Sequence, residues 1–136
     1  MGSGASVSYG IPGMGVLANE LKNFFKSNPY YDTATNDVVS DFIKLLDSGV
    51  GLEAALLDVK VPEIVEADIV NIVWKVIIES DAKVYERFIS GEDINLRQLF
   101  DYIIYGDPNK TLNVISTNYD RIAEYAACQT DAYINI

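Results

Sequence analysis

The chain has 136 residues, 49% of them hydrophobic, which suits one globular domain with a real core. Ten Lys and Arg against twenty Asp and Glu give a formal net charge of −10, which argues against a nucleic-acid partner, because phosphate neutralisation needs basic side chains. There is no histidine, which excludes a Ser-His-Asp or Cys-His triad and His-ligated zinc, and the lone Cys128 can form neither an internal disulfide nor a Cys-x-x-Cys metal site, a usage that suits a reducing cytoplasm.

Gly2-Ser3-Gly4-Ala5-Ser6-Val7-Ser8-Tyr9-Gly10-Ile11-Pro12 reads as a glycine-rich loop, and no side chain before Glu20 carries a charge. In so acidic a chain, an uncharged loop can tolerate a pyrophosphate held by backbone N–H groups. A flexible terminus or a cloning scar would read the same way. Gly2 and Ser6 also satisfy the spacing for N-myristoylation, with no polybasic patch after them to support it. Met14, Leu17, Leu21, Phe24 and Phe25 predict a helix over about 13–26, ended by Asn28-Pro29. Such a helix after a glycine loop normally follows a buried strand, so the chain reads as truncated at its front.

Val38, Val39, Phe42, Ile43 and Leu46 predict a second helix from about 35 to 47, closed by Ser48-Gly49. A short helical turn near 52–57 leads to Val61-Pro62, where proline opens the longest helix. The β-branched run 69–78 resembles a strand, but Asn71, Lys75 and Glu79 recur every four residues, with Asp68 and Glu86 extending a helical stripe. Trp74 is expected in the core. Glu63, Glu66, Asp68, Glu79 and Asp81 show no metal or acid/base spacing and are expected on a solvated face. Asn71 and Lys75 also interrupt 64–78, the best candidate for a membrane span, which would need about 18 apolar residues. Ser90-Gly91-Glu92-Asp93 breaks the pattern. Asn95 and Gln98 resemble a capping pair for a helix with Leu96, Leu99, Phe100, Ile103 and Ile104 on one face, stopped by Gly106 and Pro108.

From 112 the pattern changes. Leu112, Val114 and Ile115 suggest a short strand, whereas Tyr119, Ile122, Ala123, Ala126 and Ala127 repeat at helical spacing, and Cys128 is expected in a small-residue packing face. The junction carries Ser116, Thr117, Asn118 and Asp120. These can cap the helix, or can present hydroxyl, amide and carboxylate groups to a ligand at the carboxyl end of a strand. Residues 132–136 read as a second strand, so 112–116, helix and 132–136 would form a right-handed βαβ unit.

In this order, Gly2-Ser3-Gly4-Ala5-Ser6, Gly10-Ile11-Pro12 and Thr117-Asn118-Tyr119-Asp120 resemble the sirtuin-like NAD-binding family, and the Thr-Asn-Tyr-Asp form resembles its bacterial NAD-consuming branch of phage defence. The resemblance implies an α/β fold, a fragment of a Rossmann-like parallel sheet with a large helical insertion and mostly helical overall. It would be a single partial domain over 1–136, with the loop and first helix at 1–26, the helical insert at 27–110 and strand-helix-strand at 112–136. NAD is implied as substrate, bound by Gly2, Gly4, Ala5, Ser6, Ile11, Pro12, Thr117, Asn118 and Asp120, with Asn118 and Asp120 as catalytic residues near the nicotinamide ribose. Cleavage builds positive charge on that ring, which Asp120 could stabilise while Asn118 orients a hydroxyl or a water. The family's catalytic histidine lies downstream of the Asn motif, so this chain alone is expected to be inert towards NAD. Its implied partners are NAD and, in the parent protein, a second copy or an effector or sensor domain.

Three alternatives depart from that reading. A deacylase would carry Asp-Phe-Arg where this chain has Gly13-Met14-Gly15 and Gln at Thr117, together with a four-Cys zinc site that is missing. A non-catalytic helical interaction module would use Thr117 to Asp120 only as a cap. A dinucleotide dehydrogenase would need glycine at Val7.

Overall fold

The computed structural model describes residues 4–106, 108–109, 111–116 and 118–130. Seven helices are found there: α1 (Gly4–Val7), α2 (Met14–Ser27), α3 (Thr33–Asp47), α4 (Leu52–Asp58), α5 (Glu63–Ile89), α6 (Leu96–Gly106) and α7 (Ile122–Cys128). Among the described residues there is no strand, which overturns the expected α/β class and its Rossmann-like parallel sheet. Residues 112–116 are irregular, with Val114 41% and Ile115 80% exposed. A β-branched run gains from extension when a neighbouring strand pairs with it, and no strand is present among the described residues. The second expected strand, 132–136, lies outside the described residues.

The chain divides into two compact units, a contiguous one, Pro12–Val76, and a discontinuous one that joins Met1–Ile11 to Ile77–Ile136. In the contiguous unit, Leu17, Leu21 and Phe25 recur every four residues on α2 and are buried, as are Val39, Phe42 and Leu46 on α3. Leu52 and Ala55 of α4 and Val65 and Ile69 of α5 are buried with them. Phe25 and Phe42 meet edge to face, with ring centres 6.5 Å apart. Asp32 caps α3 by accepting the Thr35 N–H at 2.7 Å, which sets the start of the helix and holds the Asp32 carboxyl below its ordinary pKa. Tyr30 donates its hydroxyl to Asp68 at 2.5 Å, and its backbone is bracketed by the Asn36 amide, which accepts from Tyr30 N at 2.9 Å and donates to Tyr30 O at 2.6 Å.

The run 69–78 is helical, as its polar stripe requires, and Asn71, Lys75 and Glu79 are exposed. Trp74, expected in the core, is 64% exposed, because the buried positions in this part of α5 are Val65 and Ile69 and Trp74 shares the opposite side with Val70. No described helix is long and apolar enough to cross a membrane.

In the discontinuous unit, Ile11, Val84, Ile94, Phe100, Ile122, Tyr125 and Ala126 form one buried cluster. Of the expected apolar face of α6, Phe100 is buried and Leu96 and Ile104 pack partly against the cluster, while Leu99 and Ile103 are exposed. Cys128 ends α7 exposed, so the small-residue packing position there is Ala126 instead. Tyr9 ties the amino-terminal segment down: its hydroxyl accepts from Leu96 N at 2.9 Å and its carbonyl from Arg87 at 3.0 Å. Gln129 accepts from Ile94 N at 2.8 Å and donates to the Glu92 carbonyl at 2.8 Å.

Gly10 has a local reason of its own. Gly10 N donates to Val7 O at 3.0 Å and Ile11 N to Ser6 O at 3.3 Å, with φ of 97° at Gly10, which is the Schellman ending of a helical turn. Ile11 then enters the core and Pro12 prevents the helix from resuming.

Candidate functional site

Ser6 lies in α1 with its side chain fully buried, and its carbonyl accepts from Tyr9 N and Ile11 N. The Ser6 hydroxyl accepts a hydrogen bond from Asn118 Nδ2 at 2.9 Å, across 112 positions of sequence. The glycine-rich segment and the Asn motif therefore meet at one point. Asn118 is held in turn by its own backbone, whose N–H donates to Ser116 Oγ at 3.1 Å. Asp120 has turned to the helix: its Oδ1 accepts from Ile122 N at 3.2 Å and so serves one of the unpaired amides at the start of α7.

The remaining expected binding residues are placed differently. Gly4 and Ala5 are exposed on α1, Ile11 belongs to the hydrophobic cluster, and Pro12 opens the contiguous unit. Gly2 and Thr117 lie outside the described residues.

Behind the Asn motif is a group that the sequence reading put on the solvated face. Asp81 of α5 is only 5% exposed. Its Oδ1 accepts from Arg121 N at 3.0 Å, and its Oδ2 accepts from Arg121 Nε at 2.9 Å, Arg121 Nη2 at 2.6 Å and the Tyr125 hydroxyl at 2.8 Å. A buried carboxylate is tolerated only when its lone pairs are so filled. The Arg121 guanidinium also lies 5.3 Å from the centre of the Tyr125 ring and 6.0 Å from that of Tyr85, and Tyr125 stacks on Phe88 at 5.4 Å. Hydrogen bonding to Asp81 raises the Arg121 pKa further above its ordinary value. A signal for Asp81 existed: Ile77, Asp81, Val84 and Phe88 are spaced i, i+4, i+7 and i+11, so the carboxylate sits in line with an apolar stripe. Asp68 likewise serves a tyrosine instead of only solvent.

Burial, followed by the hydrogen bonds to Asp68 and Asp81, raises the pKa of Tyr30 and Tyr125 well above the usual phenol value of 10.0. Because the folded pKa is raised, the stabilisation linked to these phenols is complete below pH 10 and is lost as pH climbs through their folded values. In an absorbance titration at alkaline pH, two of the nine tyrosines should therefore ionise late, together with unfolding. Ionisation of Tyr30 and Tyr125 near 10 with the fold intact would contradict this.

Among the described residues no group of three or more Asp, Glu or Cys side chains is gathered to hold a metal ion. A shallow depression of about 770 Å³ is lined by Tyr102, Ile103, Tyr105 and Gly106 on α6. Those lining residues supply phenol hydroxyls and apolar surface, and the depression is separate from the Ser6–Asn118 contact. No protein-family model matches this chain, nor does any curated protein or solved structure.

Proposed function

We propose that this chain supplies NAD contacts to a sirtuin-like, NAD-consuming protein of bacterial anti-phage defence, acting in the cytoplasm. The observation that supports the reading is the 2.9 Å bond between Asn118 and Ser6, which brings the two ends of the motif pair to one point. Asn118 offers both a donor and an acceptor, the combination a ribose hydroxyl requires. One oxygen of Asp120 is committed to α7, and stabilisation of positive charge on the ribose falls to the other. The chain holds no histidine, so proton transfer by a histidine would come from another segment.

The test is a calorimetric titration of the chain with NAD, beside nicotinamide release by the native protein. Asn118→Ala should weaken NAD binding by up to about tenfold, the worth of one hydrogen bond, and should abolish release while circular dichroism stays unchanged. Equal NAD affinity in wild type and Asn118→Ala would remove the reading. A second reading, a helical interaction module, is favoured by one observation: Gly10 ends a helical turn and Asp120 caps another, so both motifs have a folding reason. It predicts no NAD binding at millimolar concentration.

A further inference from the structure

The turn that carries Asn118 lies outside regular secondary structure. Residues 111–116 are irregular, Ile115 and Tyr119 are 80% and 83% exposed, and α7 has seven residues, too few to be helical on its own. A further hold on it comes from α5. Asp81 projects from α5, a helix of 27 residues, and grips Arg121 twice, by its backbone N–H and by its guanidinium. Arg121 is three residues from Asn118, and the stretch between is closed by the Asp120 to Ile122 bond. The position of the Asn118 amide is thus set by where Asp81 holds Arg121.

We infer that Asp81 is a positioning residue, which holds Asn118 against Ser6 by anchoring Arg121 at the start of α7. As a statement about NAD this rests on the function proposed above, but the contact itself is measured without ligand.

The experiment follows the side-chain amide resonances of Asn118 by NMR in the full chain, assigned by their loss in Asn118→Ala. Asp81→Leu keeps the branched shape of the side chain and removes every acceptor. It should move these resonances to solvent-like positions and speed their hydrogen exchange about fivefold or more, the equivalent of one hydrogen bond, while circular dichroism remains native. Tyr125→Phe removes a bond to Asp81 that lies away from the turn, and should leave the Asn118 signature unchanged. Arg121→Ala, whose side chain is 60% exposed, covers the case in which Asp81→Leu does not fold, and should move the resonances in the same direction. Native Asn118 resonances in a folded Asp81→Leu or Arg121→Ala variant would overturn the inference. An NAD titration of the same variants separates the two ideas. Lost resonances with unchanged NAD affinity would sink the NAD reading and leave the positioning role standing, whereas native resonances with weakened affinity would sink the positioning role.

Discussion

Ile122→Ala is expected to destabilise the discontinuous unit by about 2–5 kcal/mol and to take the Ser6–Asn118 contact with it. Ile122 is fully buried at the first position of α7, in the cluster formed with Ile11, Val84, Ile94, Phe100, Tyr125 and Ala126. Truncation removes the transfer free energy of three carbons and leaves a cavity that α7 can fill only by shifting. Because α7 also bears the cap from Asp120 and follows the Asn motif directly, such a shift reaches the site. Against a total stability of about 5–15 kcal/mol for a domain, the loss is large enough to read by urea denaturation with the Asn118 amide as probe. Ile122→Val should cost only about 0.5–1.5 kcal/mol. A change below that range for Ile122→Ala would mean that α7 is not seated as described.

Phe42→Ala should have a larger effect on the contiguous unit, about 3–5 kcal/mol. Phe42 is fully buried on α3, and its ring meets Phe25 of α2 edge-on, so truncation removes both a large apolar surface and an aromatic contact. Phe42→Leu keeps most of the volume and should cost less, about 1.5 kcal/mol or under. Thermal unfolding of the two variants, followed by circular dichroism, ranks them. Equal melting temperatures would show that the volume kept by leucine contributes nothing at this position and would contradict the ranking.

Where one face of a helix repeats strictly, the sequence was a good guide. The polar stripe Asn71, Lys75, Glu79 identified α5 as a helix despite its β-branched content, because a strand would put the apolar Val73 and Ile77 on the same face as these three. Boundaries were less legible: α3 begins at Thr33, since Asp32 accepts the Thr35 amide, a choice that depends on one side-chain rotamer. Leu112, Val114 and Ile115 were misread because β-branching reports suitability for a sheet and not the presence of a partner. Trp74 was misread because large apolar side chains are also found on surfaces. For Asp81 the charge argued for solvent and the helical phase argued for the interior, and phase decided because Arg121 and Tyr125 satisfy the carboxylate. No periodicity could have indicated that Ser6 and Asn118 touch; only the paired motifs suggested it.

The division of the chain into a contiguous and a discontinuous unit also dictates an order of events during folding. Residues 12–76 need only partners within that span, so their contacts close over short loops. The Ser6–Asn118 contact instead joins positions 112 apart, and for a flexible loop of that length the logarithmic closure cost is about 4 kcal/mol. Prior collapse of 12–76 shortens the effective loop, so the discontinuous unit gains from waiting. On the ribosome, Ser6, Tyr9 and Ile11 emerge well before Val84, Leu96 and Ile122, against which that unit is completed. That segment is thus made before its partners and ordered only after them, and until then its apolar residues are open to proteases and to chaperones.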